Sequence, residues 1–358
     1  MKIINIVSSI NKINYGVWHA ATIGSHYMKT EHKVESELWI CYQKNEVEII
    51  PEIPYFFFKK EQKTIKGFNN WLSQFSNSET IIVTHGSWLM PTKLGYWAKK
   101  RGFSWVYLPQ GMFEVLSTSK LAIKKRLYFH LFEKRWIKNA TVVRAVSYPE
   151  EKNLIKLIPG IPLALIYNGV NGNSTNTFEK SDSLLNFLFL ARLHSKKGII
   201  HLVKAWAEAI DDSDNVLLSI VGPDEGELEK IKPYLRKTSV YLGPKFGSEK
   251  SKLLENSHYY ILPSYSEGFP TSVLEAMSYG AIPIITKGCN FPDIITHKLG
   301  YEIEPDIASI KNVLSNLKNK AFDKKLSLRN IEYVENNFSE NKIGENLLNL
   351  YTKILSKN

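Results

Sequence analysis

Short apolar runs alternate with longer amphipathic stretches along the chain of 358 residues, and this alternation constrains the fold more than any other feature. Several runs are almost unbroken Ile, Val and Leu, which is typical of parallel strands covered on both faces. Alternation of strand and helix patterns predicts doubly wound α/β sheets. The predicted strands are Ile3–Val7, Glu37–Tyr42, Thr80–Thr84, Ser104–Leu108, Thr141–Val146, Asn186–Leu190, Val216–Val221, Val240–Leu242, Tyr259–Leu262 and Ile282–Ile285.

The chain is long enough for two domains, since one domain usually holds ~100–200 residues. The segment Tyr167–Thr177 reads YNGVNGNSTNT and is rich in the residues of turns and loops. We therefore predict a first domain over residues 1–168 and a second over residues 169–339. Beyond them, apolar residues at helical spacing predict a terminal helix over residues 340–358, with Ser339 as its N-cap.

The net charge of +11 lies entirely in the first half, because residues 171–358 hold equal numbers of acidic and basic side chains. A basic half attracts anions, which include nucleic acids, acidic lipid surfaces and phosphorylated substrates. No apolar run approaches the roughly 20 residues that a membrane-spanning helix needs, and Met1–Ile10 is interpreted as a buried strand rather than a signal peptide. Cys41 and Cys289 are too few for a disulfide framework or a zinc cluster, and we expect free thiols in a reducing cytoplasm.

The segment Pro263–Thr286, PSYSEGFPTSVLEAMSYGAIPIIT, carries the clearest functional motif. A predicted strand runs into a loop, and Pro270 precedes a helical stretch that ends in glycine, which is the usual punctuation of a helix. The first-turn amides belong to Thr271, Ser272 and Val273. They have no helical partner and lie at the positive end of the helix dipole, so we expect a diphosphate to bind there.

Two carboxylates, eight positions apart, flank this predicted anion site. Glu267 lies in the loop before the helix, and Glu275 lies about one turn into it. One carboxylate can accept two hydrogen bonds from a vicinal diol such as ribose, and the other can accept them from sugar hydroxyls. The alternatives are a first-turn acid stabilised by the helix dipole for Glu275 and a solvated loop acid for Glu267.

The sequence Glu267-Gly-Phe-Pro, then Glu275-Ala-Met, then Gly280-Ala-Ile-Pro, resembles the E-x7-E signature of glycosyltransferase family 4. The resemblance implies the GT-B fold, an α/β fold in which two Rossmann-like doubly wound domains face each other across a cleft and a C-terminal helix crosses back to the first domain. It also implies a donor site in which Gly268 and Phe269 lie beside the first-turn residues. The donor would be a nucleotide-diphosphate sugar, linked to UDP.

Further segments resemble the same family in order and spacing. Arg192 and Lys197, in FLFLARLHSKKGIIHLVKA, follow a strand at the matching positions, and two cations there can neutralise a leaving diphosphate. The alternative for both is an ordinary solvated pair. LSIVGPDEGEL around Gly222 resembles the family's strand ending in Val-Gly. VYLGPKF resembles the segment whose backbone reads the nucleotide base, with Lys245 as its base-side residue.

The first half resembles the family weakly and departs from its pattern. Gly16 stands where the family usually has a glycine pair that approaches the donor phosphates. Gln110, in LPQGMFE, stands where many relatives have an active-site histidine. Glutamine can donate a hydrogen bond to a sugar hydroxyl but cannot titrate near neutral pH, so His85 would supply an imidazole if one is needed. Glu150 belongs to a Ser-x-x-Glu pattern that we expect to be structural.

The resemblance implies a retaining reaction without a separate general base. In a front-face displacement the leaving phosphate takes the proton of the acceptor, so catalysis is mainly electrostatic. Arg192 and Lys197 would stabilise the diphosphate together with the helix N-terminus. Glu267 would position the sugar, and Glu275 the ribose. No metal is expected, and the acidic run at residues 211–214 is interpreted as a polar turn because it precedes a strand.

The stretch Lys120–Lys138, KLAIKKRLYFHLFEKRWIK, interleaves basic and aromatic residues. Such a stretch can lie on an anionic membrane surface, and the alternative is a helix that packs its apolar face on the sheet. The membrane interpretation implies a lipid-linked saccharide as acceptor. We therefore expect a cytoplasmic protein, peripheral on the inner face of the cell membrane, that assembles bacterial surface polysaccharide or glycolipid.

Two other classes compete with this interpretation. A nucleic-acid-binding protein would suit the basic first half, but no aromatic-basic base-stacking motif is present. A sugar-nucleotide epimerase of the same fold would share the diphosphate site and would need titratable groups facing the sugar, for which His85 and Glu267 are the candidates. An epimerase converts the donor alone, whereas a transferase needs an acceptor.

Overall fold

The computed structural model describes residues 1–10, 15–42, 53–88, 90–113, 126–170, 180 and 183–357. The chain divides into two units. Unit 1 comprises Met1–Gly169 and Glu340–Asn358, and unit 2 comprises Val170–Ser339. The boundary predicted after residue 168 lies one residue from this division, and most of the predicted linker lies outside the described residues.

Unit 1 contains a seven-stranded parallel sheet. Its strands are β1 Lys2–Val7, β2 Glu35–Ile40, β3 Tyr55–Phe57, β4 Thr80–His85, β5 Ser104–Leu108, β6 Val142–Ala145 and β7 Leu163–Leu165. They pair in the order β3-β2-β1-β4-β5-β6-β7. Every residue of β4 and β5 is buried, which explains their apolar composition. The strand order reverses between β1 and β4, and in open α/β sheets the carboxyl ends at such a point are where ligands bind.

The following helices of unit 1 lie wholly within the residues that the structure describes. They are α1 Tyr15–Thr22, α2 Ser25–His32, α3 Ile65–Leu72, α4 Met90–Lys100, α5 Lys134–Ile137, α6 Tyr148–Leu157 and the C-terminal helix Glu340–Leu355, with a 3-10 turn at Glu61–Lys63 and a π-helical turn at Phe129–Glu133. The C-terminal helix begins directly after Ser339 and buries Ile343, Leu347 and Tyr351 in the core of this sheet. The contact is close, because a Cβ on Gly24 would lie 2.8 Å from the Cα of Gly344.

Unit 2 contains a second parallel sheet, of six strands. These are β8 Leu185–Leu190, β9 Val216–Val221, β10 Ser239–Gly243, β11 Tyr259–Leu262, β12 Ile282–Ile285 and β13 Tyr301–Glu302, in the order β10-β9-β8-β11-β12-β13. The helices are α7 Ile199–Ala209, α8 Leu228–Ile231, α9 Gly247–Asn256, α10 Thr271–Ser278, α11 Asp293–Thr296, α12 Ile307–Leu317 and α13 Lys324–Phe338, with 3-10 turns at Ser195–Lys197, Lys232–Tyr234 and Lys287–Cys289. The predicted α/β class with two Rossmann-like sheets is confirmed.

Three strands are absent from the sequence prediction, namely β3, β7 and β13. Each lies at the edge of its sheet and holds two or three residues, too few to show a pattern. The helix α8 is short, with four residues. It ends at Ile231 and a 3-10 turn follows, because Pro233 lacks an amide hydrogen and its ring clashes with a continued α-helix.

Neither membrane-spanning helices nor reactive thiols are found in the described part of the chain. No helix there combines the length and apolar character that a bilayer crossing requires. Cys41 and Cys289 are buried and free. Burial raises the pKa of Cys41 to about 12 and that of Cys289 to about 11, so both thiols stay protonated and unreactive at neutral pH.

Candidate functional site

A glycine sets the position of Lys197 at the carboxyl edge of the second sheet. The turn Ser195–Lys197 docks on the loop after β11, where the Lys196 carbonyl accepts hydrogen bonds from the Tyr265 amide at 2.9 Å and the Ser264 hydroxyl at 3.1 Å. Gly198 follows with φ +70°, and a Cβ there would lie 2.1 Å from the carbonyl oxygen of Pro263. Only glycine allows this approach, which brings Lys197 against the loop before α10.

Lys197 and Glu267 form an ion pair at that loop. The Lys197 Nζ lies 2.6 Å from both carboxylate oxygens of Glu267, and the two side chains are only 15% and 12% exposed. The Glu267 backbone is also held. Its amide donates to the Gly288 carbonyl at 2.7 Å, and its carbonyl accepts from the side-chain amide of Asn290. The structure therefore brings together two of the predicted site residues as one cation and one anion.

The N-terminus of α10 offers fewer open amides than the sequence predicted. The Thr271 amide donates to the Phe269 carbonyl at 3.0 Å, and the Val273 amide donates to the Pro270 carbonyl at 2.9 Å. Of the three first-turn amides, that of Ser272 alone makes no hydrogen bond to the described residues. The expectation of three unpartnered amides is corrected to one. The carbonyls of Phe269 and Pro270 accept hydrogen bonds from the other two amides.

The hydroxyl of Ser272 ties this helix end to the first strand of the sheet. The Tyr260 hydroxyl donates to the Leu190 carbonyl at 2.9 Å, and its oxygen lies 2.7 Å from the Ser272 Oγ. Since Tyr260 has one hydroxyl hydrogen, Ser272 donates in this contact. The start of α10 is therefore fixed next to the end of β8.

Glu275 has a partner that sequence reasoning missed. The Glu275 Oε1 lies 2.5 Å from the Nζ of Lys250 on α9. No spacing rule along one helix could have found this pair, because its members lie on different helices. Lys245, predicted to read the base, pairs with the Glu249 carboxylate at 2.8 Å, one helical turn away; its role at the base stays a prediction.

Arg192 lies apart from the pair of Lys197 and Glu267 in its contacts. Its Nη1 lies 2.7 and 2.9 Å from the two carboxylate oxygens of Glu225, and the side chain is exposed. Gly222 makes this geometry possible, since a Cβ there would lie 1.9 Å from the Ala191 carbonyl oxygen. Glu225 holds the guanidinium, and the expectation that Arg192 joins Lys197 at a leaving diphosphate stays a prediction.

The Phe269 side chain has a packing role. Its ring contacts Phe291 and Phe338 with centroid separations of 6.4 and 6.2 Å. Gly268, without a side chain, contributes backbone only. These contacts anchor the loop that carries Glu267, and a place for Phe269 beside the donor stays a prediction.

The acidic run at residues 211–214 forms a closed turn, as its sequence position predicts. The Asp214 carboxylate accepts from the Asp211 amide and from the Lys318 ammonium, each at 2.8 Å. Among the described residues, no group of three or more His, Cys, Asp or Glu side chains is arranged to hold a metal ion.

In unit 1, Gly16 is the second residue of α1 and a Cβ there would meet nothing within 4 Å. The described residues resume at residue 15, and the approach of Gly16 to the donor phosphates stays a prediction. Predictions for Lys120–Lys125 also lie outside the described residues.

Five polar side chains from separate segments of unit 1 form one chain of hydrogen bonds. Arg144 Nη2 donates to Asn168 Oδ1 at 3.2 Å, and Asn168 Nδ2 donates to Gln110 Oε1 at 3.2 Å. Gln110 Nε2 then donates to His85 Nδ1 at 3.4 Å, and His85 Nε2 donates to Asn5 Oδ1 at 3.0 Å. Arginine has donors only, so the direction of every bond follows from it. The chain fixes both amide orientations and the Nε2–H tautomer of the histidine.

His85 is a neutral link in this chain rather than a titrating group. The side chain is buried, and burial, assisted by the charge of Arg144, lowers its pKa to about 3. This corrects the expectation that His85 would supply a titratable imidazole. Gln110 is half-buried and has φ +56°, and its expected hydrogen bond to a sugar hydroxyl stays a prediction.

Glu150 is structural, as the Ser-x-x-Glu pattern predicts. Its two carboxylate oxygens accept from the Gly111 amide at 2.6 Å and the Val146 amide at 2.8 Å. Ser147 caps α6 through a hydrogen bond from the Glu150 amide. Glu150 thereby fixes the backbone that follows Gln110.

We expect the folded protein to lose stability in acid partly through His85. In the unfolded chain His85 has a pKa near 6.5 and binds a proton below that pH. In the folded chain it stays neutral down to about pH 3. The free energy of unfolding therefore falls as pH drops below 6.5, by up to about 1.36 kcal/mol per pH unit from this residue. Urea unfolding at a series of pH values gives the free energy of unfolding as a function of pH. Between pH 3 and 6.5 this free energy should change less with pH in His85→Asn than in wild type or in the exposed control His26→Asn. Equal slopes would contradict the neutral assignment.

Comparison with known proteins adds independent information. Residues 174–335 match the family model described as glycosyl transferases group 1. The chain is 23% identical over 316 residues to the phosphatidylinositol N-acetylglucosaminyltransferase gpi3 subunit of Schizosaccharomyces pombe, covering 83% of this chain and 67% of that protein. It is 28% identical over 266 residues to the N,N'-diacetylbacillosaminyl-diphospho-undecaprenol alpha-1,3-N-acetylgalactosaminyltransferase of Campylobacter jejuni, covering 70% of this chain and 68% of that protein.

Solved structures show the same fold. Sucrose-phosphate synthase from Thermosynechococcus elongatus matches with a TM-score of 0.76 at 18% identity, over 100% of both chains. Anabaena HepE in complex with UDP and glucose matches with a TM-score of 0.74 at 15% identity, over 99% of this chain and 100% of that one. The GT-B fold expected from the sequence is confirmed by these neighbours and by the two parallel sheets.

Proposed function

We propose that this protein, whose residues 174–335 match the glycosyl transferases group 1 family model, is a glycosyltransferase that moves a sugar from a UDP-sugar to a lipid-linked saccharide with retention of anomeric configuration. Unit 2 binds the donor and unit 1 binds the acceptor. The product enters bacterial surface polysaccharide or glycolipid, and the protein works in the cytoplasm at the inner face of the membrane.

The observation that carries the proposal is the ion pair of Lys197 and Glu267 beside the start of α10. A donor diphosphate is an anion that can take over Lys197 and the open amide of Ser272. Glu267, once freed, can accept from hydroxyls of the transferred sugar. Glu275 lies one turn further along and can accept from both ribose hydroxyls. Glu267, then Lys197 with the Ser272 amide, then Glu275 therefore match the order sugar, diphosphate and ribose of one nucleotide-diphosphate sugar.

The reaction needs little more than charge from these residues. The bond between the anomeric carbon and the diphosphate oxygen breaks while the acceptor oxygen attacks the same face, and the acceptor proton passes to the departing phosphoryl oxygen. Lys197 stabilises the negative charge that grows on that oxygen. Arg192, beside Glu225 at the end of β8, can add a second cation when the diphosphate competes with that carboxylate. Gln110 donates its remaining amide hydrogen to a hydroxyl of the acceptor.

A lipid-linked acceptor is supported by the names of two relatives. One is a phosphatidylinositol N-acetylglucosaminyltransferase subunit and the other acts on a diphospho-undecaprenol saccharide. Both names describe a sugar transferred to a lipid-borne acceptor. The C. jejuni protein is the bacterial case and shares more identity with this chain, so a polyprenyl-diphosphate saccharide is the acceptor class that we propose.

The direct test incubates the purified protein with a panel of nucleotide sugars, with and without an undecaprenyl-diphosphate saccharide. We expect transfer from a UDP-sugar only when the acceptor is present, and unchanged rates with EDTA. A donor whose free concentration is 100 times its dissociation constant should stabilise the protein by about 2.7 kcal/mol, which a thermal melt detects. Conversion of the donor alone would identify an epimerase instead. A neutral His85 gives no support to that alternative, since it removes one of the two candidate acid-base residues.

Replacing Glu275 is expected to weaken donor use through the ribose. Glu275→Ala should lower kcat/KM for the donor by at least ~10-fold, since a charge-assisted hydrogen bond contributes ~1.5–3 kcal/mol. With a 2′-deoxyribose donor the penalty should shrink, because one of the two contacts is already absent. Glu229→Ala, at an exposed acid of α8, serves as the control. An equal penalty for both donors would place Glu275 away from the ribose.

A further inference from the structure

The segment Arg126–Lys138 exposes large apolar side chains and buries an acidic one, the opposite of an ordinary surface helix. Leu127 is 60% exposed, Leu131 45% and Phe132 46%, whereas Glu133 is fully buried. In the described residues no other stretch of six holds more than one large exposed apolar side chain. Single exposed apolar residues are ordinary, but a group of three on one element marks an interaction surface.

The inward face of this segment packs against unit 1. Phe129 and Ile137 are buried in the core against the sheet. The Glu133 Oε1 accepts from the Trp88 amide at 2.9 Å and from the Thr92 hydroxyl at 3.0 Å. These contacts fix the rotation of the segment, so Leu127, Leu131 and Phe132 cannot turn inward without exposing the Phe129 ring and breaking the bonds to Glu133. Their exposure is a fixed property of the fold.

Cations share the outward face with these apolar side chains. Arg126, Arg135 and Lys138 are exposed, and neither Arg135 nor Lys138 forms an ion pair with a described residue. The same unit carries the whole net positive charge of the chain in its sequence. A segment that exposes leucine and phenylalanine together with the cations Arg135 and Lys138 complements a bilayer that has anionic headgroups over an acyl interior.

We infer that this face, formed by Leu127, Leu131, Phe132, Arg135 and Lys138 and here called the basic-apolar face, docks on an anionic lipid bilayer. The apolar side chains enter the boundary between headgroups and acyl chains while the cations stay at the phosphates. The contact is peripheral, because the segment is short and its inner half belongs to the core. It extends the proposed function, on which it rests for a lipid-borne acceptor, by naming the residues that meet the membrane.

The docking segment is also tied to the ligand end of the first sheet. Glu133 holds the amide of Trp88, which follows His85 by three residues, and the Trp88 ring packs against Phe129 with a centroid separation of 6.0 Å. The backbone at Trp88 has φ +68°, so its conformation depends on these contacts. A bilayer bound at the basic-apolar face therefore rests on an element that supports the loop after β4.

The test is co-sedimentation of the full-length protein with phosphatidylcholine vesicles that do or do not contain phosphatidylglycerol, without donor or acceptor. Wild type should bind the anionic vesicles and release from them at high salt. Leu131→Gln with Phe132→Gln, and separately Arg135→Gln with Lys138→Gln, should each reduce the partition coefficient by about tenfold or more. Ile65→Gln with Lys66→Gln, exposed on α3, removes one apolar and one basic side chain elsewhere in unit 1 and should leave binding unchanged.

The inference is overturned if wild type binds both vesicle types equally or not at all, or if the two double variants bind like wild type. A melting temperature within error of wild type shows that each variant is folded, as expected for exposed positions. Transfer to a soluble acceptor analogue, measured on the same variants, should be unchanged. Loss of vesicle binding with intact transfer separates this inference from the proposed reaction, and failure to bind leaves that reaction untouched.

Discussion

Lys197→Gln is expected to lower kcat/KM for transfer by roughly 10- to 100-fold. In the proposed reaction the lysine contributes a charge-assisted interaction with the donor diphosphate, and at ~1.5–3 kcal/mol such an interaction corresponds to roughly 10- to 100-fold in rate. The effect should fall on kcat as well as KM, because charge grows on the leaving oxygen in the transition state. Steady-state rates with a UDP-sugar donor measure it. The neighbouring Lys196→Gln, whose side chain is exposed, should retain near-normal transfer.

The double variant Lys197→Gln with Glu267→Gln separates stability from catalysis. Removing Lys197 alone leaves the poorly exposed Glu267 carboxylate without its partner, which costs stability. Removing both charges should restore much of that stability but none of the transfer. Near-normal turnover in Lys197→Gln would rule out the donor site as described. Full recovery of turnover in the double variant would show that Lys197 acts only by neutralising Glu267.

Gly198→Ala is expected to destabilise unit 2 by at least ~3 kcal/mol, which corresponds to a fall of about 6–12 °C in its melting temperature. The added Cβ would lie 2.1 Å from the Pro263 carbonyl oxygen, so backbone must move, and φ is +70°. Overpacking against backbone and a left-handed conformation both cost free energy. The movement also carries Lys197 away from Glu267, so transfer should fall with stability.

Gly243→Ala is a matched control for this substitution. Gly243 has φ +71°, one degree from that of Gly198, but a Cβ there would meet nothing within 4 Å. Its cost should be about 1 kcal/mol, from the left-handed backbone alone. The difference between the two variants in thermal or urea unfolding measures the steric overlap. Equal destabilisation would mean that the turn Ser195–Lys197 does not press on the loop after β11.

The sequence predicts the sheets well because burial leaves a clear pattern. Strands such as β11 and β12 are buried on both faces, so their residues are mostly apolar, and such runs are visible without a structure. The edge strands β3, β7 and β13 escape prediction since two or three residues carry no period. The helix over Thr271–Ser278 was predictable from its proline and glycine punctuation.

The site was predictable in its motif residues but not in their pairing. Glu267, Glu275 and Lys197 follow from spacing and resemblance, yet the partners Lys250 and Glu225 lie on other elements that only folding brings near. His85 shows the same limit in a buried group. Its position after a strand fits an exposed imidazole as well as a buried one, and the four side chains that join it in one hydrogen-bonded chain come from distant segments.

The C-terminal helix has a consequence for biosynthesis. Its Ile343, Leu347 and Tyr351 complete the core under the first sheet, although they are translated after all of unit 2. Domains usually fold in the order in which they leave the ribosome, but here the earlier half lacks part of its interior until all of unit 2 has been translated. Unit 2 can complete its folding first. Unit 1 stays incompletely folded until the C-terminal helix is made, and its apolar surface is accessible to chaperones during that time.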